Sequence, residues 1–199
     1  MSQRERVLEA MMRVAAAKGY EATAVSDVIE HAGISGESFE QMFAGKEDCF
    51  LQAYDGAIDV LAAHVSGAFE AASGAPWTER VVAALRAMVE LLGAEADIAR
   101  MAIVEVAAVG EDARIRYREA LDRFVPFLEE GRAVAPGGAD LPTDTAQFAI
   151  GGGASLIYDE IRAERGSELT QILPQLFFAV TMPYLGAEAA EAEMQQIAG

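Results

Sequence analysis

VSDVIEHAGISGESFEQMF, residues 25–43, holds two short helical patterns separated by a sharp break. Val25, Val28, Ile29 and Ala32 recur at helical spacing, and Gly33 follows them. Glycine readily takes the left-handed conformation that closes a helix. Ser35 has the character of an N-cap, because its hydroxyl can accept from a backbone N–H that the first turn leaves without a partner. Ile34 before that cap and Phe39 after it have the spacing of a hydrophobic staple. Phe39 and Phe43, four residues apart, set an aromatic pair on one face. Two short helices around a glycine turn, the second anchored by that pair, predict a helix-turn-helix.

The flanks sharpen this reading. The chain opens RERVLEAMMRVAAAKGYEATAVSDV and leaves the motif through AGKEDCFLQAYD. Arg6, Ala10, Lys18-Gly19-Tyr20, Thr23, Val25, Asp27, Ala32-Gly33-Ile34-Ser35, Phe39, Phe43, Lys46-Glu47 and Phe50 stand in an order that resembles the N-terminal domain of the tetracycline-repressor (TetR) family of transcriptional regulators. The resemblance covers the first 55 residues or so; beyond them the chain is similar only in length and helical character.

Composition agrees with an all-α fold. Alanine is abundant, only 6 prolines occur in 199 residues, and runs of alternating β-branched residues are absent. A single cysteine, Cys49, excludes an intrachain disulfide and suits a reducing compartment. Arg4, Glu5, Arg6 and Glu9 interrupt any leader-like apolar run, and the uncharged stretch 169–187 carries Pro174, Pro183, Gln171 and Gln175. No membrane partner is expected, and a cytoplasmic location is. Net charge is −17, which repels polyphosphate. Residues 1–55 hold 5 basic and 10 acidic side chains, 5 − 10 = −5, so a DNA reader here depends on placement and not on bulk potential.

Taken in order, residues 4–18 form a first helix that Gly19 ends, and the helix-turn-helix pair follows. Residues 46–72 read as one long helix, broken at Ser73-Gly74-Ala75-Pro76. Further helices are predicted over 77–92, 97–109, 112–134 (kinked or restarted at Pro126), 143–164 and 168–185, nine in all. The tail GAEAAEAEMQQIAG reads as short, polar and frayed. The division expected is a helix-turn-helix head over 1–46 and a helical ligand-binding and dimerisation body over 47–199.

The resemblance implies that the third helix lies in the major groove while flanking helix ends hold phosphates. Matched residue by residue, Thr23, Ser35 and Lys46 are the phosphate candidates, and Lys46 is the only cation between Lys18 and Arg80. Gly36, Glu37, Ser38, Glu40, Gln41 and Met42 are the candidates to face bases. Glu40 stands where the family pattern has a tyrosine, Met42 where it has a histidine, and Gly36 where an arginine or similar polar residue is common. A carboxylate at 40 must be desolvated and repelled in a groove, although glutamate can accept from a cytosine amino group and Gln41 can pair with adenine. Ile29, where such motifs often keep a small residue, predicts a slight splay of the two helices.

In the body, Gly151-Gly152-Gly153 follows no strand and is no phosphate cradle. Glycines inside a helix cost about 1 kcal/mol each relative to alanine, so close approach of another backbone is the expected compensation. Phe148, Gly152, Leu156, Ile172, Leu176, Phe177, Val180 and Tyr184 lie in the least charged part of the chain and are the candidate dimer interface. The resemblance implies a homodimer built on a four-helix bundle, presenting two reading helices to a near-palindromic double-stranded DNA operator. Trp77, Met88, Leu92 and Met101, with Tyr117, Phe124, Phe127 and Tyr158, are the candidate lining for an unidentified apolar small-molecule ligand. Release of a repressor by such a ligand is what the family implies. The alternative is a TetR-like dimeric sensor or interaction protein whose acidic head binds DNA weakly or not at all. Glu95, Asp97, Glu105, Glu111 and Asp112 read as solvated helix faces. His31 and His64 lack metal-ligand spacing, Cys49 reads as a packing residue, and no nucleophile–base pair marks an enzyme. No cofactor or metal is expected.

Overall fold

Ser2 accepts a bond from the Glu5 N–H while the Glu5 carboxylate accepts from the Ser2 N–H, a reciprocal cap that starts the first helix. In this computed structural model, which describes residues 1–198, the α-helices run α1 Gln3–Lys18, α2 Val25–Ala32, α3 Gly36–Met42, α4 Lys46–Ala71, α5 Trp77–Ala94 and α6 Ala96–Ile103. They continue as α7 Glu111–Asp122, α8 Val125–Glu129, α9 Thr145–Arg162, α10 Leu173–Leu185 and α11 Ala187–Ala198. Short 3₁₀ segments occupy Glu105–Ala108, Glu130–Ala133, Gly138–Asp140 and Gly166–Ile172. No strand occurs among the described residues, so the chain is all-α as its composition predicts.

Several expected helices divide, each for a local reason. The predicted 97–109 helix stops at Ile103 and tightens into the 3₁₀ turn at Glu105. The predicted 112–134 helix ends at Asp122 and restarts as α8 with Pro126 in its first turn, where a missing N–H costs nothing. Likewise the 168–185 helix begins only at Leu173, with Pro174 in the first turn. The tail is corrected outright: residues 187–198 are helical and α11 packs on α10 through Ala190, which is fully buried. Alanines at helical spacing supply both propensity and a flat contact face. Gly199 lies outside the described residues.

The chain divides into two compact units, residues 1–60 with 95–117 and residues 61–94 with 118–199. The first contains α1, α2, α3, the first half of α4, α6 and the start of α7. Its interior holds Val7, Met11, Val28, Phe39, Phe43, Phe50 and Met101, and α1 packs on both α2 and α6. In the second unit α10 packs on α5, α9 and α11 around Leu92, Ile157, Leu176, Phe177 and Tyr184. Arg132 ties down the Pro-Gly loop of this unit. Its Nη1 donates to the Leu141 carbonyl at 2.9 Å, its Nη2 to that of Pro142 at 2.7 Å, and its Nε to the Glu129 carboxylate at 2.6 Å. Among the described residues no helix is long and apolar enough to cross a membrane.

Candidate nucleic-acid interface

The turn forms as the residues dictate. Gly33 sits at φ +64°, and its N–H and that of Ile34 return to carbonyls of α2. Ser35 Oγ accepts the Ser38 N–H at 3.1 Å and lies 2.9 Å from Ser38 Oγ, capping α3. Phe39 and Phe43 are buried with ring centroids 5.3 Å apart, so α3 is anchored from below. Its outer face presents Gly36, Glu37, Glu40 and Gln41, all exposed, with Ser38 and Met42 half-buried beside them. Gln41 Nε2 reaches the Glu37 carboxylate at 3.4 Å. Ile29 Cδ1 would lie 3.9 Å from a Cβ at Gly36, ordinary contact: the large residue at 29 meets the smallest possible residue at 36.

The phosphate candidates are held more tightly than sequence suggests. Thr23 is 2% exposed and its hydroxyl donates to the Gly19 carbonyl at 2.8 Å, so that hydroxyl is already occupied within the chain. Lys46 Nζ donates to the Tyr20 carbonyl at 3.0 Å and lies 4.2 Å from the centre of the Tyr20 ring. Tyr20 meets Phe50 edge to face at 5.0 Å, and its own hydroxyl is pushed above the ordinary tyrosine range by burial and by the Glu47 charge. Ser35 remains exposed at the turn.

Two groups missed in sequence complete the head. Arg4 Nη1 donates to the carbonyl of Met42, the last residue of α3, at 3.2 Å, and Arg6 Nε to that of Ala32, the last residue of α2, at 3.4 Å. One helix thus caps the C-termini of both members of the helix-turn-helix with cations, where the helix dipole favours them. Glu105 is the second, and corrects its reading as a solvated face: it is 8% exposed. Its Oε2 accepts the Tyr20 N–H at 2.8 Å, and its Oε1 lies 3.4 Å from Arg100 Nε. The signal was present, since Glu105 is the only charge in the apolar run MAIVEVAAV. The Gly19–Tyr20 backbone is therefore gripped from both sides, its N–H by Glu105 and its carbonyl by Lys46.

Asp27 accepts the Ala24 N–H at 3.0 Å and pairs with Lys18 at 2.9 Å, and both hold its carboxyl below the usual carboxylate range. Asp48 accepts from the Gln52 amide and the Ala44 N–H at 2.8 and 2.9 Å and is lowered in the same way. Burial pushes the Cys49 thiol up to about 12, which fits a packing role.

Of the ligand candidates, Met101 and Tyr117 belong to the first unit, Met101 fully buried. Trp77, Met88, Leu92, Phe124, Phe127 and Tyr158 belong to the second. There Trp77 donates its indole N–H to the Phe127 carbonyl at 2.8 Å and lies 5.3 Å from Tyr184, while Phe127 meets Phe69 at 4.8 Å and Phe124 at 6.3 Å. Trp77, Phe124 and Phe127 thus come together, with Phe69 and with Tyr184, which the sequence reading assigned to the dimer interface. Met88 and Tyr158 are half-buried and Leu92 is core.

The dimer candidates separate by face. Phe148 is 76% exposed, and Gly152 and Leu156 are exposed one and two turns further along α9. Ile172 is half-buried. Leu176, Phe177, Val180 and Tyr184 are corrected: α10 turns them into the core of its own unit. Of the three glycines of α9, none meets another backbone within the chain: a Cβ on Gly153 would lie 3.2 Å from the Val180 side chain at Cγ1, and Gly151 and Gly152 face open space.

A helix-turn-helix whose second helix is capped, anchored and exposed is the motif of DNA-binding regulators in fold. Residues 7–53 of the chain match the family model of bacterial regulatory proteins of the tetR family. No curated relative matches its sequence. Over the whole chain the likeness to solved structures is one of fold. The fatty acid degradation regulator FadR of Bacillus halodurans superposes with TM-score 0.79 at 17% identity, covering 95% of this chain and 98% of that one. FadR of Bacillus subtilis, solved in complex with stearoyl-CoA, gives 0.76 at 17% identity over 92% and 98%. The tetR regulator TylP of Streptomyces fradiae gives 0.66 at 14% over 98% and 97%.

Proposed function

We propose that this protein is a homodimeric, sequence-specific DNA-binding repressor that an apolar small molecule releases from its operator, working in the cytoplasm with residues 1–46 as reading head and 47–199 as sensing and dimerising body. The observation that carries the proposal is the outer face of α3: Glu37, Glu40 and Gln41 project from a helix fastened by Ser35 and by the buried Phe39–Phe43 pair. A short helix so fastened offers polar side chains to base edges with little conformational entropy to lose.

The exposed Phe148-Gly152-Leu156 stripe supports a two-fold partner, because a phenylalanine left in water beside a flat glycine gains by covering itself with a second copy. The aromatic group around Trp77 and Phe127 supports an apolar ligand, and the stearoyl-CoA found on FadR of Bacillus subtilis makes a long acyl chain the chemistry to try first. A ligand that prefers one pose of the heads lowers DNA affinity by its differential binding to the two poses.

A second reading is favoured by one observation. Every cation of residues 1–55 already has a partner within the head, and the segment carries net charge −5. Under that reading the protein is a tetR-like dimeric sensor with weak or lost DNA binding. Selection from a pool of random duplexes at low salt separates the two. Enrichment of a near-palindrome supports the repressor, and no enrichment with an intact dimer by sedimentation supports the sensor. Glu40→Tyr should tighten binding to arbitrary duplex, since a repelled carboxylate leaves the groove. No gain would mean that Glu40 does not face the backbone.

A further inference from the structure

We propose that Arg4 forms a phosphate-binding site at the C-terminal end of α3, taking one phosphodiester of a bound duplex; the proposal rests on the DNA-binding reading above and assigns that surface a cation. The head's five cations are not equivalent. Arg13 is cancelled by Glu9 at 2.8 Å and Lys18 by Asp27 at 2.9 Å. Arg6 and Lys46 are half-buried on the carbonyls of Ala32 and Tyr20. Arg4 alone is exposed while its hydrogen bonds go to neutral acceptors, the Met42 carbonyl and Gln52 Oε1. A guanidinium has five N–H donors, so three remain in a planar fork that matches phosphate.

Two further contacts make the site a prepared one. The guanidinium carbon lies 4.9 Å from the centre of the Phe43 ring, so the group is held against a face as well as at two donors. Ordering entropy that a free surface arginine would lose on binding phosphate is already lost here. Gln52 then acts as an insulator. Its Oε1 receives Arg4 while its Nε2 donates to Asp48 Oδ1, and the other Asp48 oxygen is occupied by the Ala44 N–H at 2.9 Å. The Asp48 carboxylate, which feels the Arg4 charge, is bonded to neutral donors and not to the guanidinium, so Arg4 makes no direct ion pair beside α3.

The test is fluorescence anisotropy of a labelled random-sequence duplex titrated with the full-length protein across a range of KCl concentrations. Because Arg4→Ala also removes a helix cap, Gln52→Glu is the deciding variant: it keeps an acceptor for Arg4 and adds the charge that cancels it. Both variants are expected to weaken binding several-fold and to reduce the slope of log K against log[KCl] by about 0.9, one phosphate's worth. Gln52→Glu also loses the amide that donates to Asp48, so the slope and not Tm decides that variant, and Arg4→Lys should keep the slope. If Arg4→Ala loses affinity together with Tm while Gln52→Glu leaves the slope unchanged, Arg4 is a cap only and the proposal fails. Unchanged slopes in both variants overturn it while the DNA-binding reading stands. A parent protein that holds no duplex even at low salt overturns both.

Discussion

Replacing Glu105 by alanine should loosen the entry to the helix-turn-helix more than any surface change in the head. The carboxylate is 8% exposed and is the acceptor for the Tyr20 N–H at 2.8 Å, so its removal leaves a backbone donor without a partner in a dry site. A hydrogen bond to a charged group contributes about 1.5–3 kcal/mol net. The Arg100 contact adds little, since it is long at 3.4 Å and the arginine side chain is 36% exposed, so roughly 0.5 kcal/mol is a fair allowance. Glu105→Ala should therefore cost about 2–3.5 kcal/mol locally, and Glu105→Gln, which keeps an acceptor, about 1 kcal/mol. Amide hydrogen exchange at Tyr20 reads this directly: at 1.4 kcal/mol per decade, exchange should accelerate roughly 30-fold or more in the alanine variant and several-fold in the glutamine variant. Exchange at Tyr20 within twofold of the parent in Glu105→Ala would show that the carboxylate does not hold this loop.

Three other expectations follow from single contacts. A Cβ on Gly131 would lie 2.4 Å from the Trp77 ring, so Gly131→Ala should cost about 1–3 kcal/mol in urea unfolding and shift the emission of the chain's only tryptophan; a neutral variant with parent-like emission contradicts the packing. With its thiol pushed up to about 12 and buried, Cys49 should resist iodoacetamide at pH 8 and react only on unfolding, and rapid labelling of the native protein would refute this. Asp27 and Asp48 both titrate below their ordinary value of 3.8 in the folded head, so their contribution is complete above that value and is lost as pH falls through the lowered folded values. Asp27→Asn with Asp48→Asn should therefore flatten the acid limb of stability, and curves parallel to the parent's would show these bonds to be without effect.

The helix-turn-helix was legible because each of its determinants is local. Gly33, Ser35 and the Ile34–Phe39 spacing act within one turn of chain, and the structure has the left-handed glycine, the cap and the buried aromatic pair where they imply them. Helix breaks at Pro126 and Pro174 were partly legible for the same reason. The tail was not, because alanine-rich polar sequence is marginal alone and α11 owes its order to the α10 surface beneath it.

What the sequence by itself determined was the all-α class, the helix-turn-helix and the acidity of the outer face of α3, properties set by composition and by neighbours a few residues apart. Only tertiary structure decided which apolar residues of the last helices stay outside, Phe148 and Leu156, and which, like Phe177 and Tyr184, fill the core. It alone brought Arg4 to Met42, 38 residues away, and Glu105 to Tyr20, 85 residues away. Hydrophobic periodicity reports that a face is buried, not against what, and a lone charge finds its partner only when the chain has folded back upon it.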